Sequence, residues 1–173
     1  MATKKSMWVF LGILAISTWI FGSVIQAGAE TMKGRTATTL TKEETIAVGD
    51  EEGHILGLQI LEGLAFFENG EIAKMRVHAM YDWIKVKGAQ TITYIIYTFE
   101  DGSTIVSRGQ RILVADKSGI PSAKTTTELI KGTGRFQGIK GTGSSTGRNF
   151  QPGKGEALRV TSDFTWTYTL PTK

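Results

Sequence analysis

No cysteine occurs in the 173 residues, so disulfides, thiolate metal sites and a thiol nucleophile are excluded together. Whatever folds must be held by an apolar core, which a chain of this length can supply. Proline is scarce, with three in all, and histidine scarcer, with two. An excess of one charge is missing too. The formal net charge is only +4, lysines and arginines alternate with Asp and Glu, and no basic block forms, so nucleic acid is not an expected partner. From Glu30 onward no stretch has a helical period.

A nucleotide loop is also lacking. The segment Gly132 to Gly143 holds five glycines in twelve residues, but a phosphate loop needs Gly-Lys-Ser/Thr leading into a helix. Here Lys140 is followed by Gly141, and more Gly, Ser and Thr come after it. No cofactor is expected. The cluster reads instead as a backbone bend, because glycine costs conformational entropy and offers nothing to pack inside a regular element. Phe136 and Ile139 among the glycines predict a tight turn pinned to a core, a barrel corner from which a strand resumes.

At the N-terminus, Lys4 and Lys5 precede an apolar run from Trp8 to Ile25, and Ala27-Gly28-Ala29 fits the small-x-small site of a signal peptidase. Residues 1–29 are therefore expected to be a cleaved signal peptide, with residues 30–173 forming one domain. The alternative is a retained anchor, since the run approaches the length that spans a bilayer, although Ser17, Thr18, Gly22 and Ser23 dilute it. Either way the folded part is expected to be secreted or periplasmic, touching a membrane only through an uncleaved leader.

Runs of β-branched and aromatic residues between short turn signals predict an all-β fold. Strands are expected within Gly34 to Val48, His54 to Phe67, Glu71 to Val86, Thr91 to Phe99, Ser103 to Val114, Thr125 to Lys131, Ile139 to Arg148 and Val160 to Leu170. Asn69-Gly70 predicts a tight primed hairpin turn and Asp101-Gly102 a second hairpin. Pro121 excludes a central strand around it. The last strand alternates most cleanly, with Phe164, Trp166 and Tyr168 on one face and threonines on the other. Thr91 to Phe99 is apolar on both faces, which suggests either a sandwich centre or a barrel wall whose outside meets another subunit.

Two segments, Phe99-Glu100-Asp101-Gly102-Ser103 and Lys131 to Gly141, make the chain resemble the allene oxide cyclase and plant dirigent superfamily, whose corner reads Gly-Thr-Gly-x-Phe. The sharp part of the resemblance is about a dozen residues and is more specific for fold than for chemistry. It implies an eight-stranded antiparallel β-barrel, often a homotrimer, whose lumen receives a small apolar or aromatic molecule. The cyclases close an unsaturated fatty-acid epoxide into a ring; dirigent proteins steer the coupling of phenoxy radicals. The chain lacks the cysteine of the plant cyclases' lumen, and it is similar to exported bacterial members of the group.

Glu62 shares a strand face with Leu56, Leu58, Ile60, Leu64 and Phe66, where an ionised carboxylate is expensive unless paired. That makes it the candidate catalytic residue, with Arg108 as its partner. A place near a barrel mouth, or a bulge at Gly63, would instead leave it in solvent. His78 shares a face with Arg76, Met80 and Asp82 and is a candidate lining residue, as is Tyr94. His54 follows Asp50, Glu51 and Glu52, but without metal-loop spacing no metal site is expected. Phe164, Trp166 and Tyr168 either fill the core or wall a ligand cavity, since an eight-stranded barrel does both. Three functions follow: a non-enzymatic exported binder of a hydrophobic or aromatic molecule, an isomerase or cyclase working through Glu62 with Tyr94, Tyr168 and Arg108, or a structural or adhesion module.

Overall fold

The computed structural model describes residues 28–85, 87–115, 121–150 and 153–172. Residues 1–27 of the expected leader, which runs to Ala29, lie outside them. Among the described residues no helix is long and apolar enough to cross a membrane.

Eight strands follow one another up and down: β1 (Glu30–Ala47), β2 (His54–Phe67), β3 (Ile72–Ile84), β4 (Gly88–Phe99), β5 (Thr104–Ala115), β6 (Pro121–Gly132), β7 (Lys140–Phe150) and β8 (Arg159–Thr169). Each pairs antiparallel with the next, and β1 closes the cylinder against β8, from Glu30 opposite Tyr168 to Thr39 opposite Arg159. The expected all-β, eight-stranded closed barrel is therefore present. Its early start at Glu30, before Gly34, lengthens the closing ladder. β6 begins at Pro121 rather than Thr125, because proline as a first residue has no ladder N–H to lose.

The hairpins differ from expectation in one respect. Phe67 N–H donates to Glu71 O and Phe99 N–H to Ser103 O, both at 2.9 Å, so three residues lie in each loop where a primed turn has two. The last of the three is glycine at positive φ, +87° at Gly70 and +79° at Gly102, as the three-residue loop requires. One extra residue changes which side chains share a face.

The glycine cluster forms the corner between β6 and β7, with one 3-10 turn at Gly134–Phe136. Gly134 and Gly138 take φ of +58° and +77°, a region that disfavours a Cβ. Phe136 is 5% exposed and its ring lies 4.8 Å from that of Phe99. Over both rings sits the Arg135 guanidinium, which also pairs with Glu71 and Asp101. Phe67, Tyr97, Phe164 and Trp166 continue this aromatic packing inward, so the corner end of the barrel is closed.

Candidate functional site

The other end is open. Inward positions there run Ile55, Gln59 and Leu61 on β2, Val77, Ala79, Tyr81 and Trp83 on β3, and Thr93, Ile95 and Tyr97 on β4, around a cavity of about 570 Å³. Phe164 and Trp166 form part of its deep wall. The volume falls in the range of small-molecule sites. Small residues keep it open: Ala79 is inward, and on β7 the inward Gly143 and Ser145 lie opposite Trp166 and Phe164.

A β-bulge in β1 between Leu40 and Lys42 places the polar groups of this wall. Thr36, Thr38 and Leu40 face inward before it, and Glu43 after it, so one inserted residue turns a carboxylate toward the lumen. The Tyr81 ring lies across Gly57, where any Cβ would collide with it. Its hydroxyl donates to Glu43 Oε1 at 2.6 Å, and Gln59 Nε2 donates to the same oxygen at 2.7 Å. Burial and the Glu43 carboxylate together push the Tyr81 pKa upward, so the phenol stays a neutral donor. Across the lumen Arg111 Nη2 donates to Asn149 Oδ1 at 2.6 Å, and burial lowers its pKa. Deeper in the wall, the Thr93 hydroxyl is buried without a hydrogen-bond partner.

His54 fastens the rim. Its Nδ1 lies 2.6 Å from Asp50 and its Nε2 3.0 Å from Asp82, joining the β1–β2 turn to β3. Burial works against its charge, but the two carboxylates outweigh it and raise its pKa. Asp50, Glu51 and His54 each bring a ligand atom within 4.8 Å of the others, yet both ring nitrogens already face carboxylates and Glu51 pairs with Lys87. A raised folded-state pKa stabilises the fold fully below the unfolded value of about 6.5, and the gain fades as pH rises through the folded value. His54→Gln is therefore expected to lower the melting temperature more at about pH 5.5 than at about pH 9. A difference that is the same at both pH values would show that the ring's charge plays no part.

No protein-family model and no curated protein matches the chain. Among solved structures it is similar to the pterocarpan synthase dirigent protein GePTS1, with a TM-score of 0.51 at 9% identity over 84% of this chain and 93% of that one. The pterocarpan synthase dirigent protein PsPTS1 superposes with a TM-score of 0.45 at 11% identity, over 86% and 99%. The fold is that of the dirigent barrels. At such identities the likeness is one of fold.

Within this dirigent-type barrel the sequence-derived candidates separate into two sets. Phe164 and Trp166 line the lumen. Tyr168 is buried nearer the closed end, where burial and its 2.7 Å bond to Glu30 push its pKa up to about 12. Glu62, His78, Tyr94 and Arg108 all lie on the outer face and are exposed. Glu62 pairs with Arg76 at 3.4 Å rather than with Arg108. The expected lumen placement of these four is thus corrected. Their strands carry apolar side chains outside as well as inside, so an apolar neighbourhood does not identify the interior. The signal that sequence reasoning missed is on β3: Lys74, Arg76 and His78 alternate with Ala73, Met75 and Val77, and the three-residue loop sets Glu62 opposite Arg76 on the charged side. Of the polar groups that reach the lumen, Glu43 depends on the β1 bulge, and Tyr81 and Arg111 depend on register.

Proposed function

We propose that this is an exported, non-catalytic binding protein that takes a small hydrophobic or aromatic molecule into the open end of its barrel. The observation that carries this reading is the cavity of about 570 Å³ walled by Leu61, Val77, Ile95, Trp83, Phe164 and Trp166. A dirigent-type fold agrees with it, since a barrel of eight strands is wide enough to hold one small ligand. Glu62 on the outer wall leaves a lumen isomerase without the acid–base group first considered for it. The reading extends to assembly: outward Leu58, Met80, Tyr94, Ile96 and Ile112 are exposed and suit contact with further copies of the chain, as a homotrimer or another oligomer.

The neutral fluorophore N-phenyl-1-naphthylamine tests the lumen. Its emission is expected to rise on titration into the protein. Ala79→Phe, which projects a ring into the cavity, is expected to weaken binding roughly tenfold or more, at an overpacking cost of about 1–3 kcal/mol in stability. Binding unaffected by a folded Ala79→Phe protein would place the probe elsewhere and remove the reading's support.

A further inference from the structure

Arg111 is a permanent cation inside the lumen wall with no acidic partner among the described residues. The guanidinium stays charged in proteins, and burying it is costly unless it is paired. Its one hydrogen bond of the described set goes to the neutral Asn149 carboxamide oxygen at 2.6 Å. Two carboxylates, Glu43 and Glu156, also line the cavity, but neither is paired with Arg111: Glu43 accepts from Tyr81 and Gln59 across the lumen, and Glu156 accepts from Gly153 N–H. Asn149 accepts from one of five N–H groups, so a fork of donors remains for an incoming anion.

The neighbours of that fork say more about the anion. In the ladders Arg111 lies opposite Thr91 on β4 and Thr125 on β6, one inward step below the rim position of Leu113. Beyond it the wall is small, at Ala79 and Thr93, and the floor is aromatic, with Tyr97, Phe164 and Trp166. Within this floor Phe164 and Trp166 stack at 4.5 Å and Tyr97 meets Trp166 edge-on at 5.0 Å. Such walls favour a flat ring, which gains offset-stacked and edge contacts that a flexible alkyl chain does not.

We propose that the lumen ligand is an aromatic carboxylate, held with its acid group against Arg111 near the mouth and its ring directed to the aromatic floor. A carboxylate, planar and with two oxygens, matches the guanidinium fork in a bidentate pair. Asn149 holds the guanidinium in place, while the two carboxylates of the lining are engaged elsewhere, Glu43 by Tyr81 and Gln59 and Glu156 by Gly153 N–H. The proposal rests on the lumen-binding reading above and narrows its ligand class.

The test is a set of binding titrations of the full chain with 2-naphthoate, its neutral methyl ester and decanoate, beside the neutral naphthylamine probe. The wild-type protein is expected to bind 2-naphthoate about ten- to a hundredfold more tightly than the ester, the difference a hydrogen-bonded charge supplies. Arg111→Gln is expected to abolish that preference while leaving the ester's affinity in place, and Arg111→Lys to restore part of it. Equal binding of acid and ester by the wild type, or an acid preference that survives Arg111→Gln, overturns the proposal while the neutral probe still reports an open lumen. Decanoate binding as tightly as 2-naphthoate overturns its aromatic half. If neither the ester nor the naphthylamine probe binds, the lumen-binding reading itself fails. The acid–ester comparison needs no variant, so it decides the matter even if Arg111→Gln does not fold.

Discussion

Trp166→Ala is expected to lower the free energy of unfolding by about 3–5 kcal/mol, the usual loss when a large aromatic is removed from a core. The indole is 1% exposed and stands between the closed end and the lumen. It stacks on Phe164 with centroids 4.5 Å apart and meets Tyr97 and Phe67 edge-on at 5.0 and 6.1 Å. Across the β7–β8 ladder it lies opposite Gly143, where a Cβ would collide with the indole, so no neighbouring side chain is placed to fill the hole from that side. The barrel wall is hydrogen-bonded all the way round and does not collapse inward to close the gap. Denaturant unfolding checks the figure, and a loss below about 1 kcal/mol would mean that the floor repacks.

How much of this was legible from the residues depended on whether the two faces of a strand differ in polarity. β8 has aromatic rings on one side and threonines or charges on the other, so Phe164, Trp166 and Tyr168 could be placed inside from alternation alone. The corner was legible for a different reason: glycines spaced around Phe136 exclude a regular element whatever the tertiary context. β2 and β4 offered no such contrast. On β2 the outward set Leu56, Leu58, Ile60, Leu64 and Phe66 is at least as apolar as the inward set Ile55, Gln59, Leu61, Ala65 and Phe67. Face assignment then rests on register, and register rests on loops of three residues where a pair of turn residues reads as two. The β1 bulge is harder still. Nothing in the composition of Leu40, Thr41 and Lys42 announces it, yet it brings Glu43 to Tyr81 and so sets the polarity of the mouth. The lumen's polar groups were therefore hidden by single-residue shifts, whereas the barrel itself was not.

The misleading outer face also yields the second large prediction. Leu58, Met80 and Ile92 are direct ladder neighbours across β2, β3 and β4, so they form one continuous band, with Leu56 and Ile112 beside it. Leu58 is 53% exposed, Met80 48% and Ile112 58%. Scattered apolar side chains on a surface are ordinary, but a contiguous band edged by polar groups such as Asp82 and Gln90 marks a contact surface. Burial of such a band against like copies gains roughly 25 cal/mol per Å² of apolar surface, and a lysine within it would meet a desolvation cost on every subunit. If the chain assembles as proposed, Leu58→Lys combined with Met80→Lys is therefore expected to leave a monomer in native mass spectrometry where the wild type gives an oligomer. Both side chains are already solvated in the single barrel, so the change in its own stability is expected to stay within about 0.5 kcal/mol. A wild-type protein that is monomeric at tens of micromolar, or a double variant that still assembles, would show that this band is not the interface.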